Sequence, residues 1–127
     1  MKRRKFLMGT AAAAALAGQG RAQEGSLQKP EALLRVFAEM YAKPGKEKEL
    51  RKTLLGLIGP TKKEKGFVQY DLHADNENPA HFLFYEKWTS KALLDAHLAA
   101  PHLKAFDAKV KDLLTQPVRL VLATRIG

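Results

Sequence analysis

His81-Phe82-Leu83-Phe84-Tyr85-Glu86-Lys87-Trp88, followed directly by Thr89-Ser90, is the stretch on which the fold turns. Eight residues without glycine or proline, rich in aromatics, read as a strand. Alternation places Phe82, Phe84, Glu86 and Trp88 on one face and Leu83, Tyr85 and Lys87 on the other. Both faces carry large apolar groups. A single layer of helices covers only one face of a sheet, so the second face predicts a contact with another subunit and hence a homodimer.

Working outward, Thr89 or Ser90 is suited to cap a short helix running through Ala99. Pro101 opens another helix reaching about Leu114, since a first helical turn tolerates proline. Gln116-Pro117 ends it, and Val118 to Arg125 is the last strand. Upstream, Asp75-Asn76-Glu77-Asn78-Pro79 reads as a hairpin loop. Before it, Phe67 to His73 alternates as a strand. Lys46 to Lys65 has helical spacing, with Leu50, Leu54, Leu57 and Ile58 near one face; Gly59-Pro60 interrupts it, as a kink or an early end. Leu33 to Lys43 is the first strand, with Leu34, Val36, Ala38 and Met40 on one face and Arg35, Phe37, Glu39 and Tyr41 on the other. The order β-α-β-β-α-α-β predicts an α+β fold of ferredoxin-like layout, a four-stranded antiparallel sheet with helices on one face.

The chain has 127 residues, enough for one domain, and no cysteine, which excludes disulfides, thiolate metal sites and a cysteine nucleophile. Its formal charge of +9 is concentrated at the start: residues 1–23 hold Lys2, Arg3, Arg4, Lys5 and Arg21 and no acid. Setting those five of the 22 basic residues aside leaves 17 against 13 acids, about +4, interspersed as in Lys46-Glu47-Lys48-Glu49. That is a solvated surface and argues against a nucleic-acid partner.

Arg3-Arg4-Lys5-Phe6-Leu7 resembles a twin-arginine export signal. An alanine-rich stretch from Gly9 to Gly18 follows, and Gly20-Arg21-Ala22 places small residues for cleavage before Gln23. The stretch is too short and too weakly apolar for a spanning helix, which needs about 20 apolar residues, so no stable membrane anchor is expected. The reading is a signal over 1–22, a linker over 23–32 and one domain over 33–127. It implies passage through the twin-arginine translocase to a periplasmic or extracytoplasmic site.

The run from Phe84 through Glu86, Trp88 and His97 to Pro101-His102-Leu103-Lys104-Ala105-Phe106 is similar to the signature of the antibiotic biosynthesis monooxygenase family. So are Ala38-Glu39 with Lys43-Pro44-Gly45, and Glu64-Lys65-Gly66-Phe67-Val68-Gln69-Tyr70. The resemblance covers residues 33 to about 125. It implies dimeric α+β barrels with pockets between sheet and helices. It also implies oxygenation of phenolic or quinol substrates without metal or flavin, although relatives on the same fold degrade haem or isomerise a sugar phosphate.

His97 lies four residues after Leu93, on the apolar helix face, and so points toward the sheet. Glu86 shares a strand face with Phe84 and Trp88. A buried carboxylate is tolerable when bonded to an imidazole, so Glu86 and His97 are expected to pair, either as a self-satisfied core couple or as a base with its orienting acid. His102 either hydrogen-bonds a substrate oxygen or caps its helix. Trp88, Tyr70 and Phe84 either stack on a planar substrate or fill the core; Phe82, Phe37 and Phe106 read as core, and Arg35 as surface.

His97 and His102 stand five apart across a proline with no carboxylate at the H-E-x-x-H spacing, and His73 and His81 flank a distant loop, so no metal site is expected. No phosphate-cradling glycine loop exists, and no cofactor is expected. The strand-one asparagine of the haem-degrading branch is absent between Leu33 and Gly45. The leading expectation is a cofactor-independent monooxygenase acting on a small quinol or polyphenol with dioxygen, His97 serving as base and Glu86 as orienter. The alternatives are an isomerase of a small carbonyl or sugar compound, and a non-catalytic dimeric periplasmic binding or stress protein.

Overall fold

In a computed structural model, residues 32–127 are described; the expected signal at 1–22 and the expected linker up to residue 31 lie outside them. Eight elements follow in order: β1 (Leu34–Tyr41), α1 (Glu47–Leu55), α2 (Ile58–Lys62), β2 (Phe67–Asp75), β3 (Asn78–Trp88), α3 (Lys91–Leu98), α4 (Pro101–Val110) and β4 (Arg119–Ala123). The strands form one sheet in the order β2-β3-β1-β4, with every neighbouring pair antiparallel. α1 and α3 pack on β3, and α2 packs on β2. This is the ferredoxin-like α+β arrangement that the residue pattern predicts.

The faces follow alternation. Val36, Ala38, Met40, Phe82, Phe84, Glu86 and Trp88 are all buried beneath the helices. Phe37 and Tyr85, paired across β1 and β3 with ring centroids 5.1 Å apart, lie on the opposite face, where Phe37 is 44% exposed. β4 is exposed along most of its length. Among the described residues no helix is long and apolar enough to cross a membrane.

Four local readings are corrected. The helix over 46–65 breaks at Gly56-Leu57, while Gly59 and Pro60 lie inside α2. Pro60 falls in the first turn, where its missing N–H leaves no bond unmade. α4 stops at Val110, ahead of Leu114, because Leu113 and Leu114 turn inward: Lys43 N–H donates to the Leu113 carbonyl at 2.8 Å, and Leu114 bridges Ala42. β2 and β3 run further toward each other than their patterns suggest, leaving a turn of Asn76 and Glu77, with Asp75 accepting the Glu77 N–H at 2.8 Å. Arg35, read as a surface residue, is only 5% exposed, and its guanidinium donates to the Leu33 carbonyl at 2.9 Å.

Candidate active site

The site is assembled where β2 and β3 meet the turn after α2, the last turn of α3 and the first turn of α4. A bulge in β2 prepares it. The register slips between Phe67, opposite Trp88, and Gln69, opposite Lys87, so that Tyr70 comes to face Glu86. Phe67 and Tyr70, three apart, are thereby both turned to the side of the sheet that carries Trp88 and Glu86. Tyr70 is buried and stacks on Phe84, with centroids 4.3 Å apart.

Glu86 is 4% exposed, and its Oε1 accepts the indole N–H of Trp88 at 2.8 Å. Burial pushes the Glu86 carboxyl up to about 7; the indole bond works against that rise, and the charge of Glu64 adds to it. Burial, with Glu86 nearby, likewise raises the Tyr70 phenol, which therefore stays protonated.

His97 is 2% exposed, packed 4.6 Å from the Trp88 ring and edge-on to Tyr70 at 5.4 Å. Its Nδ1 lies 3.0 Å from both carboxylate oxygens of Glu64. The expected Glu86–His97 hydrogen bond is therefore not formed. Trp88, two residues along the same strand face, occupies Glu86, and Glu64 reaches His97 from the turn between α2 and β2. Burial holds the His97 imidazole below the usual histidine range, against the raising influence of Glu64. A neutral imidazole that donates from Nδ1 keeps its lone pair on Nε2.

Gly66 makes the Glu64 contact available. Its φ is +89°, and a Cβ there would come within 2.5 Å of the Leu93 Cβ. The turn thus lies almost against α3, with Gly66 accepting the Thr89 N–H at 3.0 Å. α3 is in turn anchored by Ser90, whose hydroxyl accepts the Leu93 N–H at 3.2 Å.

An apolar cavity of about 100 Å³ lies between sheet and helices, lined by Met40, Phe84, Leu103 and Phe106 among others. Tyr70, Glu86 and His97 reach its wall, and Val118 and Leu120 stand along its β4 side. Two expected site residues are placed elsewhere. Trp88 stands behind the wall, holding Glu86 and packing on His97. His102 faces an outer groove between α1 and α4, with its Nε2 2.5 Å from Glu64 Oε2 and 3.3 Å from the Thr61 hydroxyl. Glu64 thus joins the buried His97 to the partly buried His102. Alternation and helical periodicity gave no reason to choose Glu64; its place in the Glu64-Lys65-Gly66 run was the available signal.

Known proteins share this fold and part of this sequence. The family model described as antibiotic biosynthesis monooxygenase matches residues 33–109. An uncharacterised Synechocystis protein is 32% identical over 67% of this chain, which spans 58% of that relative. "Putative monooxygenase Rv0793" of Mycobacterium tuberculosis is 32% identical, covering 68% of this chain and 85% of its own length. "Probable quinol monooxygenase YgiN" of Escherichia coli is 30% identical, covering 70% and 96%. The crystal structure of PA3566 from Pseudomonas aeruginosa superposes with a TM-score of 0.73 at 29% identity, covering 79% of this chain and all of that one. With the matched segment containing Glu64, Glu86, His97 and His102, the chain belongs to the antibiotic biosynthesis monooxygenase family.

Proposed function

We propose that this protein is a monooxygenase that oxidises a small, single-ring quinol with dioxygen and needs no organic cofactor. The observation that carries the reading is the convergence of His97, Glu86 and Tyr70 on one apolar cavity. The reaction balances without an external reductant: a quinol and dioxygen yield a hydroxyquinone and water, and all four electrons come from the ring.

His97, oriented through Nδ1 by Glu64, takes a ring hydroxyl proton on Nε2. The electron-rich ring then reduces dioxygen, forms a carbon–oxygen bond and loses water. Glu86, with its carboxyl pushed up to about 7, is suited to deliver a proton to the departing oxygen near neutral pH. Tyr70 stays a hydrogen-bond donor. The apolar walls exclude water from the reactive ring. A cavity of 100 Å³ is somewhat smaller than the roughly 150 Å³ that accommodates benzene in an engineered apolar site. Substrate entry therefore asks for movement at flexible Met40 or at the β4 side.

Oxygen uptake with a panel of single-ring quinols tests the proposal. Wild type should consume oxygen at least tenfold faster than His97→Ala, and Glu64→Gln should fall between them. Equal rates for wild type and His97→Ala across the panel would refute it, leaving a non-catalytic binding role as the better account. Turnover of carbonyl compounds without oxygen would favour an isomerase.

Arg3 and Arg4, ahead of Phe6-Leu7, support export through the twin-arginine translocase to the periplasm or another extracytoplasmic site. The exported product should have the mass of a chain starting at Gln23, and replacing both arginines by lysine should abolish export. The exposed Phe37 and Val121, paired on the face away from the helices, support a homodimer closed over that face.

A further inference from the structure

The geometry points to a metal site: Glu64, His97 and His102 bind one divalent transition-metal ion of the zinc class. One donor atom from each residue lies within 4.8 Å of the other two. Around a tetrahedral zinc-class ion with ligands at about 2.0–2.2 Å, neighbouring donors stand roughly 3.4 Å apart. The carboxylate of Glu64 already meets His97 Nδ1 at 3.0 Å and His102 Nε2 at 2.5 Å. Modest opening of the two contacts makes room for the ion. His97 and His102 have ring centroids 6.0 Å apart, so neither imidazole blocks the space between them.

The donor chemistry selects the ion. Two imidazoles and one carboxylate suit zinc, cobalt(II), nickel or iron(II), whereas magnesium and calcium prefer oxygen-only sets. With two neutral imidazoles the set carries one negative charge, matched to a dication. Three protein ligands leave a fourth position for water, and the buried Thr61 hydroxyl beside His102 Nε2 is placed to bond it. His97 is anchored by burial, while Glu64 and His102 are 15% and 21% exposed, so an ion reaches the site from the solvent side without passing through the cavity.

The spacing that argued against a metal concerned only the two histidines. The third donor arrives from a turn 33 residues before His97. The inference stands apart from the quinol reading but bears on it. A metal on His97 Nδ1 requires the other tautomer of the neutral ring, with its single proton moved to Nε2, the nitrogen assigned to the base. The metal-loaded form should then be inhibited.

The test is titration of the untagged, chelator-treated full chain, which has histidines only at positions 73, 81, 97 and 102. Cobalt(II) should bind at one equivalent with micromolar or tighter affinity and give visible absorption bands of four- or five-coordinate cobalt. Zinc should displace it and raise the Tm. His102→Ala and Glu64→Gln, with folding verified by circular dichroism, should each weaken binding at least tenfold, and His73→Ala should not. Absence of binding below millimolar cobalt or zinc, or affinity unchanged in both variants, overturns the site. Both readouts are independent of turnover, so a chain that is inactive when metal-free and still binds cobalt would refute the quinol reading alone.

Discussion

Glu86 is a carboxyl group kept out of water with a single strong partner, the Trp88 indole. Its ordinary value is 4.5 and burial raises it to about 7. Between those values the folded chain binds more proton than the unfolded chain. The contribution to stability is therefore complete below about pH 4.5 and is lost as pH rises through about 7. Glu86→Gln keeps an oxygen for the indole and removes the charge. It should be more stable than wild type at pH 8, on the order of 2–3 kcal/mol, with the difference vanishing toward pH 4.5, by urea unfolding at both pH values. A variant equally destabilised at both pH values would show that Glu86 is not titrating. Alternation put Glu86 and Trp88 on one strand face, and from that spacing the indole–carboxylate bond was within reach; the expected bond to His97 assumed that the nearest imidazole would be the partner.

The turn from Glu64 to Gly66 decides which carboxylate reaches His97, and Gly66 decides the turn. A side chain there meets both a left-handed backbone and the Leu93 side chain on α3. The left-handed conformation costs about 1–2 kcal/mol and overpacking about 1–3 kcal/mol. Gly66→Ala should therefore lower stability by roughly 2–4 kcal/mol in urea unfolding. If it folds, its oxygen uptake should fall toward that of Glu64→Gln, because the displaced turn carries Glu64 with it. A neutral effect would mean that α3 moves aside freely. At this scale the elements themselves were legible: the strands from alternation, α3 from its serine cap, α4 from its opening proline. The break between α1 and α2 was misplaced because glycine and proline signal interruption without saying whether they fall at a helix end or inside a first turn, where both are tolerated.

For the whole molecule, the helices cover one face of the sheet and leave Phe37 and Val121 side by side on the other. Phe37→Lys should leave the fold intact and shift a dimer toward monomer in sedimentation velocity; an unchanged sedimentation coefficient would rule out association through that face. The order of strands and helices, and the division of β1 and β3 into two faces, came from the sequence alone, because periodicity is a property of neighbouring residues. The slip in β2 that turns Tyr70 inward, the burial of Arg35, and the meeting of Glu64 with His97 and His102 were settled only by tertiary structure. Those contacts join segments far apart in the chain, and which of several acids arrives beside an imidazole depends on how closely two backbones can approach.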